Sequence, residues 1–450
     1  MHYLNEQQEP REIVLQEALA SGNLDLAQAG LKELHPSEIA DLLESLPPRE
    51  RDMLWELVQP EQVGEVLAHV QDAVRAALLE PMAPGEVAFL TEHLDTDDAA
   101  DILQDLPEYR VEEVLRSMDE QHRQRLASVL SYPEDTAGGL MNIDTVTVRC
   151  EVTLDVVIRY LRWRGVLPEK TDSLIVVDRH NTYLGMLPLT TVLTGDPDVT
   201  VGEVMTMEPE AIPASLSAHE VAKLFEQRDL LSAPVVDEQG RLLGRVTIDD
   251  VVDVIRDQGD HSLMGMAGLS EEEDIFAPVV VSARHRTTWL GVNLATAFLA
   301  ASVIGLFEAT IQKVVALVVL MPIVAGMGGN AGIQTLTLVV RGLALGQVGS
   351  ANARKLLYKE LAIGCINGLL WACVVGLVAG VWFKDIGIGF IIGLAMIVNL
   401  VTAALAGTLI PMALKKLGID PAIASGVFLT AVTDVMGFMA FLGFATLFLI

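Results

Sequence analysis

The residue best placed to do chemistry is Asp434, within Thr430-Ala-Val-Thr-Asp-Val-Met-Gly437. Its flanks are apolar for about ten residues on either side. A carboxylate in such surroundings is expensive and marks a functional site by default. Thr430 lies one turn earlier on the same helix face, and Asn399 and Thr402 add polar atoms to the preceding apolar stretch. No Lys, Arg or His stands mid-stretch to pair with Asp434, so the remaining counter-charge is a cation. The competing reading is a protonated, hydrogen-bonded acid. A second run, Met321-Pro-Ile-Val-Ala-Gly-Met-Gly-Gly-Asn-Ala-Gly-Ile-Gln334, places Pro322 and four glycines beside Asn330 and Gln334. Proline removes a helix donor, and broken backbone at membrane depth is tolerated where it lines a water-filled path. Close packing by small residues is the alternative. Asp434 with Asn330 and the carbonyls around Gly328 and Gly329 is a hard-oxygen set suited to Mg²⁺ or Ca²⁺. One carboxylate per chain does not strip Mg²⁺ of its waters, so a ring of such residues, one per subunit, would hold a hydrated ion.

Asp249, Asp250, Asp253 and Asp257 form a second acidic group, the last three on one helix face. Like charges at this spacing repel unless a cation sits between them, and Asp229 on the preceding loop is a further candidate ligand. Read without chemistry, these acids are a solvated helix end.

These residues must be positioned by two very different halves. The chain has 450 residues, 51% hydrophobic, with a net charge of -30. From 287 onward there are five acidic and eight basic residues; before it there are 55 acidic and 22 basic, a net of −33. An acidic half fused to an apolar half excludes a simple soluble enzyme, a disordered chain and a secreted disulfide scaffold. The lack of a basic footprint argues against nucleic-acid binding. Cys150, Cys365 and Cys373 lack metal-ligand spacing. The polar start Met1–Pro10 reads as no secretory signal.

Five apolar stretches, 287–307, 312–345, 361–383, 386–413 and 423–449, each reach the roughly 20 residues a span requires. Arg284, Arg286, Arg341, Arg354, Lys355, Lys359, Lys415 and Lys416 flank one side, against Lys313 and Lys384 on the other. That bias predicts a cytoplasmic N-terminus and an external C-terminus.

Residues 11–131 read as short amphipathic helices. Leu34–Pro47 is echoed at Leu94–Pro107, with Ser37 and Thr96 as expected N-caps, and such repetition suggests a small superhelix. Its acids cluster around Glu65, Asp95, Asp97, Asp98 and Asp101. From 138 to 256 two α/β units follow in tandem. Each carries a Val-Val-Asp, turn, Leu-Gly series, with Gly240 at the second hairpin. The pair resembles CBS domains, which sense small ligands, often adenine nucleotides such as ATP, and commonly dimerise. Residues 257–286 read as a connecting helix.

The order of parts resembles the MgtE family of magnesium channels over nearly the whole chain. The marks are Ala137-Gly-Gly-Leu-Met141, the Pro322 to Gln334 run, and Asp434 with Gly437. The expected fold is a multidomain membrane protein: an all-α superhelical N domain (1–132), α/β tandem CBS domains (133–256), a plug-like connecting helix (257–286) and a five-helix transmembrane pore domain (287–450). The resemblance implies a homodimer in the cytoplasmic membrane, with its pore between subunits and Asp434 on hydrated Mg²⁺. It further implies that Glu65, Asp97, Asp98, Asp101, Asp229, Asp250 and Asp253 bind Mg²⁺ and hold the channel shut, and that Asp420 lies at the inner mouth. Ser217, His219, Gln258 and His261 stand where the pattern carries acids, and Ile333 where it carries a polar residue. A secondary transporter coupled through Asp434, and a receptor using the spans as an anchor, are the other readings; no GxGxxG, P-loop or HExxH supports an enzyme.

Overall fold

A computed structural model describes residues 24–269, 273–349 and 351–449, the side chains of 424 and 425 excepted. The expectations for 1–23, and for 270–272 of the connecting segment, lie outside these residues. The chain divides into two compact units, residues 1–257 with 274–277, and 258–273 with 278–450.

In the first unit nine short helices lead the described chain: α1 Leu24–Leu31, α2 Pro36–Glu44, α3 Pro48–Trp55, α4 Val63–His69, α5 Asp72–Leu79, α6 Pro84–Thr91, α7 Thr96–Gln104, α8 Glu108–Ser117 and α9 Glu120–Val129. Proline opens α2, α3 and α6, where its missing N–H costs nothing. The expected caps shift by a residue or two. His35 rather than Ser37 caps α2, its Nδ1 accepting from the Ser37 N–H (3.3 Å). Asp95 rather than Thr96 occupies the N-cap of α7. The sequence echo is structural: each copy gives a helix, a Leu-Pro corner and a second helix.

The tandem units have identical topology. Strand β1 (Thr147–Val148) runs parallel to β2 (Ser173–Val177), which pairs antiparallel with β3 (Tyr183–Pro188). The second copy repeats this with β4 (Ile212–Pro213), β5 (Ser232–Val236) and β6 (Leu242–Thr247). Even the bulge recurs, at Val176/Val177 and Val235/Val236. Helices α10 (Leu154–Arg164) and α13 (Ala218–Arg228) cross between first and second strands; α11 (Leu189–Thr194) and α12 (Val201–Val204) follow β3. Ala137-Gly-Gly-Leu-Met141 attaches to the second copy: the Ala137 N–H donates to the Leu216 carbonyl (2.7 Å) and the Gly138 N–H to Ala214 (2.9 Å). A Cβ on Gly139 would lie 2.5 Å from the Pro133 carbonyl oxygen. One core runs from the helical region through Met141 into Phe225, Val235 and Val246 of the second copy, while the first keeps its own around Leu154, Leu174 and Leu187. Helix α14 (Ile248–Ala267) leaves β6 and ends at Gly268, whose φ is +74°.

In the second unit α15 (Val279–Leu306), the short α16 (Glu308–Lys313), α17 (Ala316–Ala344), α18 (Ala353–Phe383), α19 (Ile386–Lys416) and α20 (Pro421–Leu449) follow. Five of these are long and apolar enough to span a membrane. The connecting segment is not one helix: α14 and α15 are separate, and Pro278 caps α15.

The second span also differs from expectation. Helix α17 runs unbroken through Pro322 and its glycines. Proline deletes one backbone bond, but the helix continues where neighbours pack against it. Its glycines serve approach rather than breakage. A Cβ on Gly328 would lie 2.2 Å from Asn399 Nδ2, and one on Gly332 2.9 Å from Leu429; one on Gly329 would meet nothing within 4 Å. Gly328→Ala should therefore cost about 1–3 kcal/mol as overpacking, read as a lowered thermal midpoint of the detergent-solubilised protein, whereas Gly329→Ala should leave it unchanged.

Candidate metal centres

The first centre lies where the helical region meets the second α/β copy, inside the first unit. Helix α7 presents Asp97, Asp98 and Asp101, and the first turn of α14 presents Asp249 and Asp250. Asp97 is only 7% exposed, and Asn142 Nδ2 donates to its Oδ1 (3.2 Å). Asn142 is itself fixed by a backbone pair with Arg245, N to O 2.8 Å and O to N 2.9 Å. Asp250 Oδ2 accepts from the Thr247 N–H (3.3 Å) and Oγ1 (3.1 Å). Asp249 pairs with Lys170.

These carboxyls are mutually repelling and short of water. Burial raises Asp97 well above the carboxylate range, with Asp250, Asp98 and Asp95 adding to it. Burial, then Asp95, Asp249 and Asp253 against the relief of Lys170, push Asp98 up to about 6. Burial raises Asp101 to about 7, despite Arg75. Burial and then Asp249 bring Asp250 to about 8. Asp249 moves the other way: burial opposes its charge, but Lys170 and Thr247 hold it below the usual range. Buried carboxyls that share so much negative charge are candidates to take a cation in place of their protons.

The remaining acids divide. Asp253 and Asp257 do flank a cation, but it is Arg256, whose Nη1 lies 3.3 Å from Asp253 and Nε 3.4 Å from Asp257. Asp229 caps α13 with a left-handed φ of +52° and is exposed. Glu65 is exposed on the first turn of α4. Among the described residues no hydrogen bond or ion pair joins Glu65 or Asp229 to the cluster. Ser217, one of the departures, caps α13 through Glu220 N–H (3.3 Å).

The second centre lies in the second unit. Asp434 is partly buried on α20, one turn before Gly437, and no ion pair engages it among the described residues. Thr430 and Thr433 turn their hydroxyls to their own helix, to the Gly426 (2.9 Å) and Leu429 (3.1 Å) carbonyls, rather than to Asp434. Asn399 on α19 is fully buried; its Nδ2 donates to the Val324 carbonyl (2.8 Å), and its Oδ1 has no partner among the described residues. The same amide sits on Gly328 of α17 and Gly437 of α20, where added Cβ atoms would lie 2.2 and 2.8 Å from it. Asn399 thus draws together the helices that carry Gly328, Gly329, Asn330 and Asp434. Asn330 is exposed on α17. Asp420 Oδ1 caps the start of α20 through the Ala422 N–H (2.7 Å), and its Oδ2 meets His261.

Sequence reasoning passed over three residues here. Glu360 on α18, 3% exposed, accepts from Thr335 Oγ1 of α17 (3.3 Å). A lone acid at the edge of an apolar stretch was the only signal for it. Asn142 and Lys170 gave none, because each reaches the acids only through tertiary packing.

A divalent cation must displace protons from the first centre. With folded-state values of about 6, 7 and 8 for Asp98, Asp101 and Asp250, metal-free folding loses stability as pH rises from the ordinary carboxylate range through these values, because the folded state holds the protons more tightly. Mg²⁺ affinity should accordingly weaken as pH falls from 8 to 6. Calorimetry in buffers of different ionisation heats should show proton release near pH 7.

Family comparison gives three matches. A family model described as a divalent cation transporter covers residues 321–444, one for an MgtE intracellular N domain covers 34–135, and one for a CBS domain covers 201–257. The magnesium transporter MgtE of Thermus thermophilus is 31% identical over 446 residues, 97% of this chain and 98% of that protein. The magnesium transporter MgtE of Bacillus subtilis is 27% identical over 431 residues, 96% of each. A crystal structure of the cytosolic domain of the Mg²⁺ channel MgtE in complex with ATP is 33% identical, covering 54% of this chain and 99% of that one, with a TM-score of 0.49.

Proposed function

This chain belongs to the MgtE family of magnesium transporters, and from that premise we propose that it is a Mg²⁺-selective channel of the cytoplasmic membrane, opening inward and closed by cytosolic Mg²⁺. The observation that carries the proposal is the pair of acidic centres, one in each unit: a dehydrated carboxylate cluster and a carboxylate among spanning helices.

In the membrane, Asp434 from each of two subunits would face one hydrated ion. The waters stay on the metal, as Mg²⁺ prefers. The Asp434 carboxylate would accept hydrogen bonds from them, with Asn330 and the α17 carbonyls near Gly328 and Gly329 as further hard acceptors. Asp420 serves the inner mouth. Asn399 contributes by fixing the three helices against one another.

In the cytoplasm, Asp97, Asp98 and Asp101 of α7 and Asp249 and Asp250 of α14 repel across their junction. Mg²⁺ between them cancels that repulsion and favours the compact state. Glu65, Asp229, Asp253 and Asp257 would contribute where domains or subunits close further. A ligand shifts such an equilibrium only by its differential affinity, so several weak ions acting together give a steep response. A nucleotide such as ATP on the CBS pair would add a second input. The N-terminus is cytoplasmic and the C-terminus external in this reading.

Mg²⁺ influx into proteoliposomes, followed by an internal dye with no other ion gradient, tests the pore. Asp434→Ala should abolish influx by tenfold or more. Influx seen only with a proton or Na⁺ gradient would instead establish a coupled transporter. Asp98→Asn or Asp250→Asn should leave flux open at internal Mg²⁺ that silences the wild type; unchanged closure would remove these residues from gating.

A further inference from the structure

The acidic cluster already contains a cation of its own. Lys170 lies in the loop between α10 and β2, and its ammonium pairs with Asp249. Asp250, Asp98 and Asp95 also act on it electrostatically. From a half-exposed position it therefore contacts α14 through Asp249 and acts through space on Asp98 of α7, the two elements whose repulsion the cluster stores. Burial works against the ammonium charge, but Asp249, Asp250 and Asp98 outweigh it and hold Lys170 above the usual lysine range.

The loop is built to deliver it. Lys170 has a φ of +54°, a left-handed conformation that side-chain-bearing residues seldom adopt. Arg245 of β6, 5% exposed, holds that conformation. Its Nη2 donates to the Glu169 carbonyl (2.5 Å), and its Nη1 to the Lys170 carbonyl (3.4 Å) and Thr171 Oγ1 (3.3 Å). The Arg245 backbone is also the partner of Asn142, whose amide grips Asp97. One buried arginine thus fixes both the cluster's amide donor and its ammonium. A lysine that merely decorated the surface would need none of this.

We propose that Lys170 is a tethered counter-ion that occupies part of the cation-binding capacity of the cluster and so sets the Mg²⁺ concentration at which the cytoplasmic half compacts. This rests on the reading of the cluster as a Mg²⁺ sensor. An ammonium beside the carboxylates lowers their attraction for a divalent ion. It also supplies part of the cohesion between α7 and α14 that the divalent ion would otherwise supply. The first effect raises the working threshold of the sensor and outweighs the second, which flattens the response. Arg245 acts through Lys170 and is a positioning residue.

The test uses the full chain in detergent at fixed ionic strength, titrated with MgCl₂ alone and read as protection of the cytoplasmic half from limited proteolysis. Lys170→Met should be cut faster than wild type in EDTA, and its half-protecting Mg²⁺ concentration should fall about threefold to tenfold, because a like charge is gone from beside the ion. Lys170→Arg, which keeps the charge, should stay within about twofold of wild type. A lysine with a structural role alone would move the midpoint upward when removed, so an unchanged or raised midpoint in Lys170→Met overturns the proposal while leaving the sensor reading intact. Wild-type protein without any Mg²⁺-dependent protection would overturn both.

Discussion

Repulsion among carboxylates that the fold forces together is the constraint on which the cytoplasmic half depends. Asp97 and Asp98 sit in the first turn of α7, and Asp249 and Asp250 in the first turn of α14. Helix N-termini favour negative charge, so each pair is locally comfortable. The cost arises when the common core from Leu103 through Met141 to Val246 packs the two helices together. Apolar burial drives that packing, and dehydration of the acids is its consequence. The raised values of Asp97, Asp98 and Asp250 record the resulting tension. A protein held in that tension would respond to any cation that entered it, which is the physical basis of the proposed sensing.

The membrane half manages polar atoms in the opposite way. It contains few, and most are spent on fitting helices together. Asn399 joins α17, α19 and α20, while Gly364 and Gly368 of α18 rest against the α19 backbone and side chains near Leu400 and Ile397. Helix α19 is the most buried of the spans. Small residues and one amide give close packing where apolar surfaces have no water to escape. Against that background Asp434 stands apart: it is partly buried, and no cation of the protein pairs with it among the described residues. Glu360 shows the contrasting case, a carboxylate in the same unit satisfied by Thr335.

Much of the fold was legible because its signals are local. Five apolar runs, the Leu-Pro corners of the helical repeat and the duplicated Val-Val-Asp hairpin each depend on neighbouring residues, and each appears where periodicity placed it. Helix starts were less legible, since His35 and Asp95 take the caps assigned to Ser37 and Thr96. The unbroken course of α17 was not legible either. Proline and glycine loosen a helix by local rules, but Asn399, Leu429 and Gly407 close against it from other spans.

The sequence by itself determined the two-part character of this protein, its five spans, its duplicated α/β unit and the acids available to meet a cation. Those follow from composition and short-range pattern, which act before any distant contact forms. Tertiary structure decided which acids meet. It joined Asp97 and Asp98 to Asp249 and Asp250 across about 150 residues of chain, placed Arg256 beside Asp253 and Asp257, and paired Lys170 with Asp249. Electrostatic energy depends on distance and on the water left between charges, and neither quantity exists until the chain has packed.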